Sequence, residues 1–212
     1  MMSYSEAEER ARLKERLGAG ARYDSDAAPG QALLMARRGT AYFARRLNEL
    51  SDADLDGPSL VEGWSRRHVV AHVGYNARRL ARIAGAARRG MRNELPPEAD
   101  GPPETVEFGS TLPAHALRYL FKHSEVHLNV EWRDLPAQGW PLSIEIMEGV
   151  AIPAATTPLM RAREVWLQAV NLNNGASIAE VPAILAEQLR RDVPKGPKAN
   201  FLDVPPTGAK LT

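Results

Sequence analysis

Apolar residues recur at three- and four-residue steps in several stretches of this chain, and such stretches predict amphipathic helices. The first runs from about Pro29 to Leu50, with Ala36, Thr40, Phe43, Leu47 and Leu50 on one stripe. The second begins at Ser65, a good N-cap, and ends near Arg89 before Gly90. Its stripe is Val69, His72, Val73, Asn76, Leu80 and Ile83, which puts two polar side chains, His72 and Asn76, on a buried face. The third starts at Pro113, suited to a first turn, and reaches about Trp132. Leu117, Phe121, Ser124, Leu128 and Trp132 line it. A fourth covers about Pro158 to Leu172, where Glu164 and Gln168 are one turn apart and share a face. A shorter helix is expected from about Ile178 to Arg191.

The connections carry signals of their own. Ser51 to Asp54 reads as a capping-box start of a short turn. Residues 90–111 are rich in Pro, Gly and Glu and read as a long loop, of the kind that is functional or disordered. Pro141 to Ala154 alternates around a Glu-Gly turn and predicts a small hairpin. Residues 4–17 read as a solvated helix or frayed extension, and 18–30 as a linker. The tail from Val193 is rich in Pro, Gly and Lys, with room for one strand at Asn200 to Val204. The expected division is an N-terminal extension over 1–28, a helical bundle over 29–175, and a partial C-terminal domain or tail over 176–212. Four long helices with a crossover loop predict a mainly α fold, a four-helix bundle with a small β-hairpin.

Composition removes several functions. A chain of 212 residues can bury one good core. A formal charge of +1 creates no field that would attract nucleic acid or an anionic membrane. No basic stripe interleaves with aromatic residues, so no nucleic-acid partner is expected. There is no cysteine, which excludes disulfides, thiolate ligands and a protein thiol nucleophile. Sulfur chemistry would need a small-molecule thiol. The first residues lack the apolar stretch of a secretory signal, and no apolar run reaches membrane-spanning length, so a cytoplasmic protein is expected.

Bundle cores place metal ligands on facing helices. His72 on the second helix, with Glu164 and Gln168 on the fourth, would fall there and form a mononuclear metal site. Alone, a glutamate near a helix start is more often a dipole-compensating surface residue, and a lone histidine a satisfied core residue. Their joint occurrence raises the metal reading. His68 lies at the stripe edge beside two arginines and should be partly exposed. His123 and His127 flank their stripe and read as a solvated face, and His115 carries no distinctive signal. Trp64, Trp132, Trp140 and Trp166 read as core anchors.

The run Gly63-Trp64-Ser65-x-x-His68-Val69-x-Ala71-His72-Val73, followed by Asn76, resembles the signature of the mycothiol-dependent maleylpyruvate isomerase family, a group of DinB-like metal-binding bundles. Pro58-Ser59-Leu60 upstream and Arg163-Glu164-Val165 through Leu172 also fit, and the resemblance spans about residues 30–180. It implies a divalent metal, zinc first and nickel or another ion as alternatives, held by His72, Glu164 and residue 168. Gln168 stands where that pattern has a histidine, and Asn171 where it has an aspartate. Asn76 is the candidate cofactor-binding residue. The resemblance further implies a low-molecular-weight thiol, whether mycothiol, glutathione or cysteine. It would be used to isomerise maleylpyruvate, a small-molecule substrate, to fumarylpyruvate in aromatic-compound degradation by a monomer or homodimer. It also implies a C-terminal α/β domain, of which about the first forty residues would be present here. Two other readings stay open: a divergent, non-catalytic ligand-binding bundle, and a thiol S-transferase or metal-dependent hydrolase on the same scaffold.

Overall fold

A computed structural model describes residues 24–93 and 101–189 of the chain. Four long helices form the body: α1 (Gly30–Asn48), α2 (Arg66–Arg88), α4 (Ala114–Arg133) and α5 (Thr157–Asn171). Two short ones join them, α3 (Val106–Ser110) and α6 (Ala183–Leu189). Strands β1 (Ser143–Met147) and β2 (Val150–Pro153) make an antiparallel hairpin before α5. The mainly α bundle with a small hairpin is therefore the observed fold. Among the described residues, no helix is long and apolar enough to cross a membrane.

The apolar stripes decide which helices meet. α2 is central and is buried along most of its circumference, packing on α4, α3 and α5. On its α4 side, a Cβ added at Gly74 would lie 2.8 Å from Leu120, so the missing side chain lets the two helices approach. α1 pairs with α5 in the same way, since a Cβ at Gly39 would meet Val165 at 2.5 Å and Trp166 at 2.7 Å. Leu117, Phe121, Ser124, Leu128 and Trp132 are all buried on α4, as their spacing predicts.

The two ends of the α2–α5 pair are tied together. Arg66, at the start of α2, donates from Nε to the Leu172 carbonyl (3.0 Å) and from Nη2 to the Asn173 carbonyl (2.7 Å). The Leu60 amide donates to the Asn171 carbonyl at 2.9 Å. These bonds satisfy carbonyls that a helix end leaves open, and the two helices run antiparallel from this clamp.

Several boundaries differ from the sequence expectation. Pro113 is the N-cap of α4 and lies just outside the first turn. The loop over 90–111 contains α3, capped by the Thr105 side chain, which accepts from the Phe108 amide at 3.2 Å. The helix expected from Ile178 is broken: Ile178–Glu180 is a single 3-10 turn, and α6 follows only after Pro182, which supplies no amide hydrogen. Ser51 and Asp54 form the expected reciprocal cap, with amide-to-side-chain bonds of 2.9 and 3.2 Å. The hairpin turns at Gly149, whose φ of 73° favours glycine, and its buried residues are Ile144 and Ile152. The expectations for residues 4–17 and for a strand at Asn200 to Val204 lie outside the described residues.

Candidate functional site

The polar residues of the α2 stripe meet a polar row on α5. Arg161, Glu164, Gln168 and Asn171 follow one another at steps of three or four, so they line one face of α5. His72 and Asn76 lie opposite on α2, and both are buried.

Three of the residues singled out in the sequence come together. His72 Nε2 lies 2.5 Å from Glu164 Oε1, a short charge-assisted contact between residues 92 apart in sequence. Gln168, also buried, accepts through Oε1 from the Asn171 side-chain amide at 3.2 Å. Its own NH2 group donates to the Glu164 carboxylate and helps hold that group ionised. This orientation is the one the network selects, since the reverse would set an amide oxygen against a carboxylate.

Asn76 joins a neighbouring contact. Its Oδ1 accepts from Arg161 Nη1 at 2.9 Å, and the same nitrogen donates to the Val73 carbonyl at 2.8 Å. Arg161 is 1% exposed, and its other terminal nitrogen, Nη2, has no hydrogen-bond partner. Burial pushes the guanidinium down to about 10, against the opposing pull of Glu164 and Glu125. It is therefore still a cation at neutral pH. For Glu164, burial acts to raise the carboxyl, but the charge and hydrogen bond of His72, then Arg161 and Gln168, hold it below the usual range. Glu125 on α4 is raised by burial, with Arg161 and Lys122 opposing.

Trp64 is half-buried. Its ring lies 5.9 Å from that of His68 and 5.5 Å from that of His72, so it forms a wall of the site as well as a core contact. The other three tryptophans are buried anchors. A groove lined by Pro58, Leu60, Val61 and Trp64, among others, opens beside this wall. His68 is partly exposed, and its Nδ1 accepts from the Ser65 amide at 3.2 Å, which closes the N-terminal cap of α2. His115, His123 and His127 are exposed.

A metal ion held by His72, Glu164 and Gln168 is what the resemblance implies, and the donor set can be tested against it. Two ligand atoms about 2.1 Å from a tetrahedral ion lie about 3.4 Å apart, whereas His72 and Glu164 are 2.5 Å apart. Gln168 turns a donor, not an acceptor, toward the carboxylate. Among the described residues, no three His, Cys, Asp or Glu side chains converge. As arranged, these residues do not fit a metal.

Arg161 is the residue that the sequence reading did not single out. It sits three residues before Glu164 on the same helical face, but that spacing alone does not tell a buried arginine from a surface one.

Comparison with known proteins agrees with the fold. A family profile described as the mycothiol maleylpyruvate isomerase N-terminal domain matches residues 36–173. Two solved structures are similar: one described as the mycothiol-dependent maleylpyruvate isomerase and one as a histidine-to-alanine mutant of it. Each has a TM-score of 0.67 and 35% identity, covering 74% of this chain. The chain spans 65% of the length of those structures. No curated protein matches.

Proposed function

The chain belongs to the mycothiol maleylpyruvate isomerase N-terminal domain family, and from that premise we propose that it is a thiol-dependent cis–trans isomerase acting on maleylpyruvate or a close analogue. The observation that carries the reading is the part-buried His72–Glu164 pair, 2.5 Å apart, in a chain with no cysteine of its own. The nucleophile is then an external low-molecular-weight thiol: mycothiol, glutathione or cysteine.

The chemistry needs a base, a thiol and a place for negative charge. The thiol proton passes to the His72–Glu164 pair. The thiolate sulfur bonds to one carbon of the cis double bond, and the π electrons move to the conjugated carbonyl oxygen. The former double bond is then single and rotates. The electrons return, the carbon–sulfur bond breaks, and the trans product leaves with the thiolate ready to recover its proton. No oxidant or reductant is consumed. Arg161 supplies fixed positive charge for the enolate stage, where such preorganised charge is most effective. Asn76 holds that guanidinium and is the candidate thiol-side residue. In this reading the protein works in the cytoplasm, in aromatic-compound degradation, as a monomer or homodimer.

The test is fumarylpyruvate formation from maleylpyruvate with each thiol in turn. Thiol-dependent turnover is expected, and His72→Ala should lower it by about 10²- to 10⁴-fold. Turnover no faster than the thiol alone, with all three thiols, would refute the reading. The donor orientation of Gln168 favours a second reading, a ligand-binding bundle without turnover. Saturable thiol binding with no isomerisation would select it.

A further inference from the structure

We propose that the centre of this chain functions without a metal ion, and that His72, Glu164 and Gln168 form a mutually engaged set in its place, with the Arg161 guanidinium supplying fixed positive charge beside it. The proposal rests on the isomerase reading for its chemistry but not for its geometry.

Three observations point the same way. The first is spacing. At 2.5 Å, His72 Nε2 and Glu164 Oε1 already satisfy one another. An ion between them would have to drive them roughly 0.9 Å further apart to reach tetrahedral spacing. The second is the third donor. A histidine at position 168 could present a nitrogen lone pair, but Gln168 donates to Glu164 and keeps its oxygen for Asn171. Binding an ion would break both hydrogen bonds and turn the amide around. The ligand gained would be a neutral amide oxygen, which suits zinc or nickel less well than imidazole.

The third observation is charge. Arg161 is a buried cation within electrostatic reach of Glu164, and it is held by Val73 and Asn76. A second and divalent positive charge would have to enter a low-dielectric site where the carboxylate is already compensated. The guanidinium thus provides the electrophilic charge that a metal would otherwise supply, and the His72–Glu164 pair remains free to move a proton.

The experiment uses the full chain purified without chelator. Its zinc, nickel, cobalt and iron content is measured by mass spectrometry, and zinc is titrated into the wild type, Gln168→His, Arg161→Met and His72→Ala. The expected result is less than about half an equivalent of bound metal in the wild type. Gln168→His should bind zinc at least about 10-fold more tightly than the wild type, and Arg161→Met should also bind it more tightly. Half an equivalent or more in the wild type, lost in His72→Ala, would overturn the proposal. Metal that survives His72→Ala is bound elsewhere and leaves the centre metal-free, as proposed. The wild-type measurement decides the question even if a variant fails to fold. Isomerase turnover with and without chelator separates the two claims. Turnover that stops on chelation and returns with one metal overturns metal independence while the isomerase reading stands. A metal-free centre with no turnover does the opposite.

Discussion

Two faces of α5 are both buried, yet they are built from different materials. The face toward α1 presents Val165 and Trp166 against Gly39, with the Trp166 ring 5.0 Å from Tyr42 and its Nε1 donating to the Met35 carbonyl at 3.2 Å. The face toward α2 presents Arg161, Glu164, Gln168 and Asn171, and leaves Arg161 Nη2 and Asn171 Oδ1 without partners. Burying a polar atom unsatisfied is unfavourable by about 1–3 kcal/mol. The first face is what stability alone would select. The second departs from it where the His72–Glu164 pair sits, which is the pattern expected of a site maintained for chemistry.

Mutations can test how far the two faces differ. The largest effect is expected on the apolar face. Trp166→Ala should destabilise the protein by about 3–5 kcal/mol, measured by denaturant unfolding. A loss below about 1 kcal/mol would mean that this interface is not the structural anchor.

On the polar face, Arg161→Met should destabilise by about 1–3 kcal/mol, less than Trp166→Ala, because it leaves the buried Val73 carbonyl and Asn76 Oδ1 without their donor while removing a charge that is itself costly to bury. A loss matching that of Trp166→Ala would make the arginine a structural strut and erase the contrast.

The smallest effect belongs to the rim of the apolar face, where Tyr42 donates to Glu180 at 2.6 Å. That hydrogen bond, with those from the Ser177 amide and Arg46, holds the Glu180 carboxyl below its usual range. A depressed carboxyl contributes stability above the unfolded value, about pH 4.3, and loses it as pH falls through the folded value. Wild type should therefore melt slightly higher than Glu180→Gln at neutral pH, and the gap should close on acidification. A gap that widened toward low pH would reverse the assignment.

The contrast also explains what could be read from the sequence. The four long helices were legible because Leu117, Phe121, Leu128 and similar residues keep helical spacing over several turns. His72 was legible as a polar residue inside an apolar stripe, and Glu164 and Gln168 by their shared face. Arg161 was not, because an arginine on a helix reads as surface by default, and only packing against Val73 and Asn76 buries it. The short helix α3 was hidden because its five residues are too few for a period and Pro, Gly and Glu dominate its flanks. Trp64 belongs to a loop, where no periodicity reports which way a ring turns.

The clamp between Arg66 and the end of α5 has a further effect: it is the zero mark of a ruler. Counting forward from Arg66, His72 stands six residues along α2, or about 9 Å at 1.5 Å per residue. Counting back from Leu172, whose carbonyl Arg66 holds, Glu164 stands eight residues along α5, or about 12 Å. Two scales graduated from one end in opposite chain directions thus bring the imidazole and the carboxylate level to within about two residues' rise. Deleting one residue between Arg66 and His72 would shift the first scale by a single division and rotate His72 by about 100° relative to the clamp, so the clamp and the His72–Glu164 contact could no longer both be made.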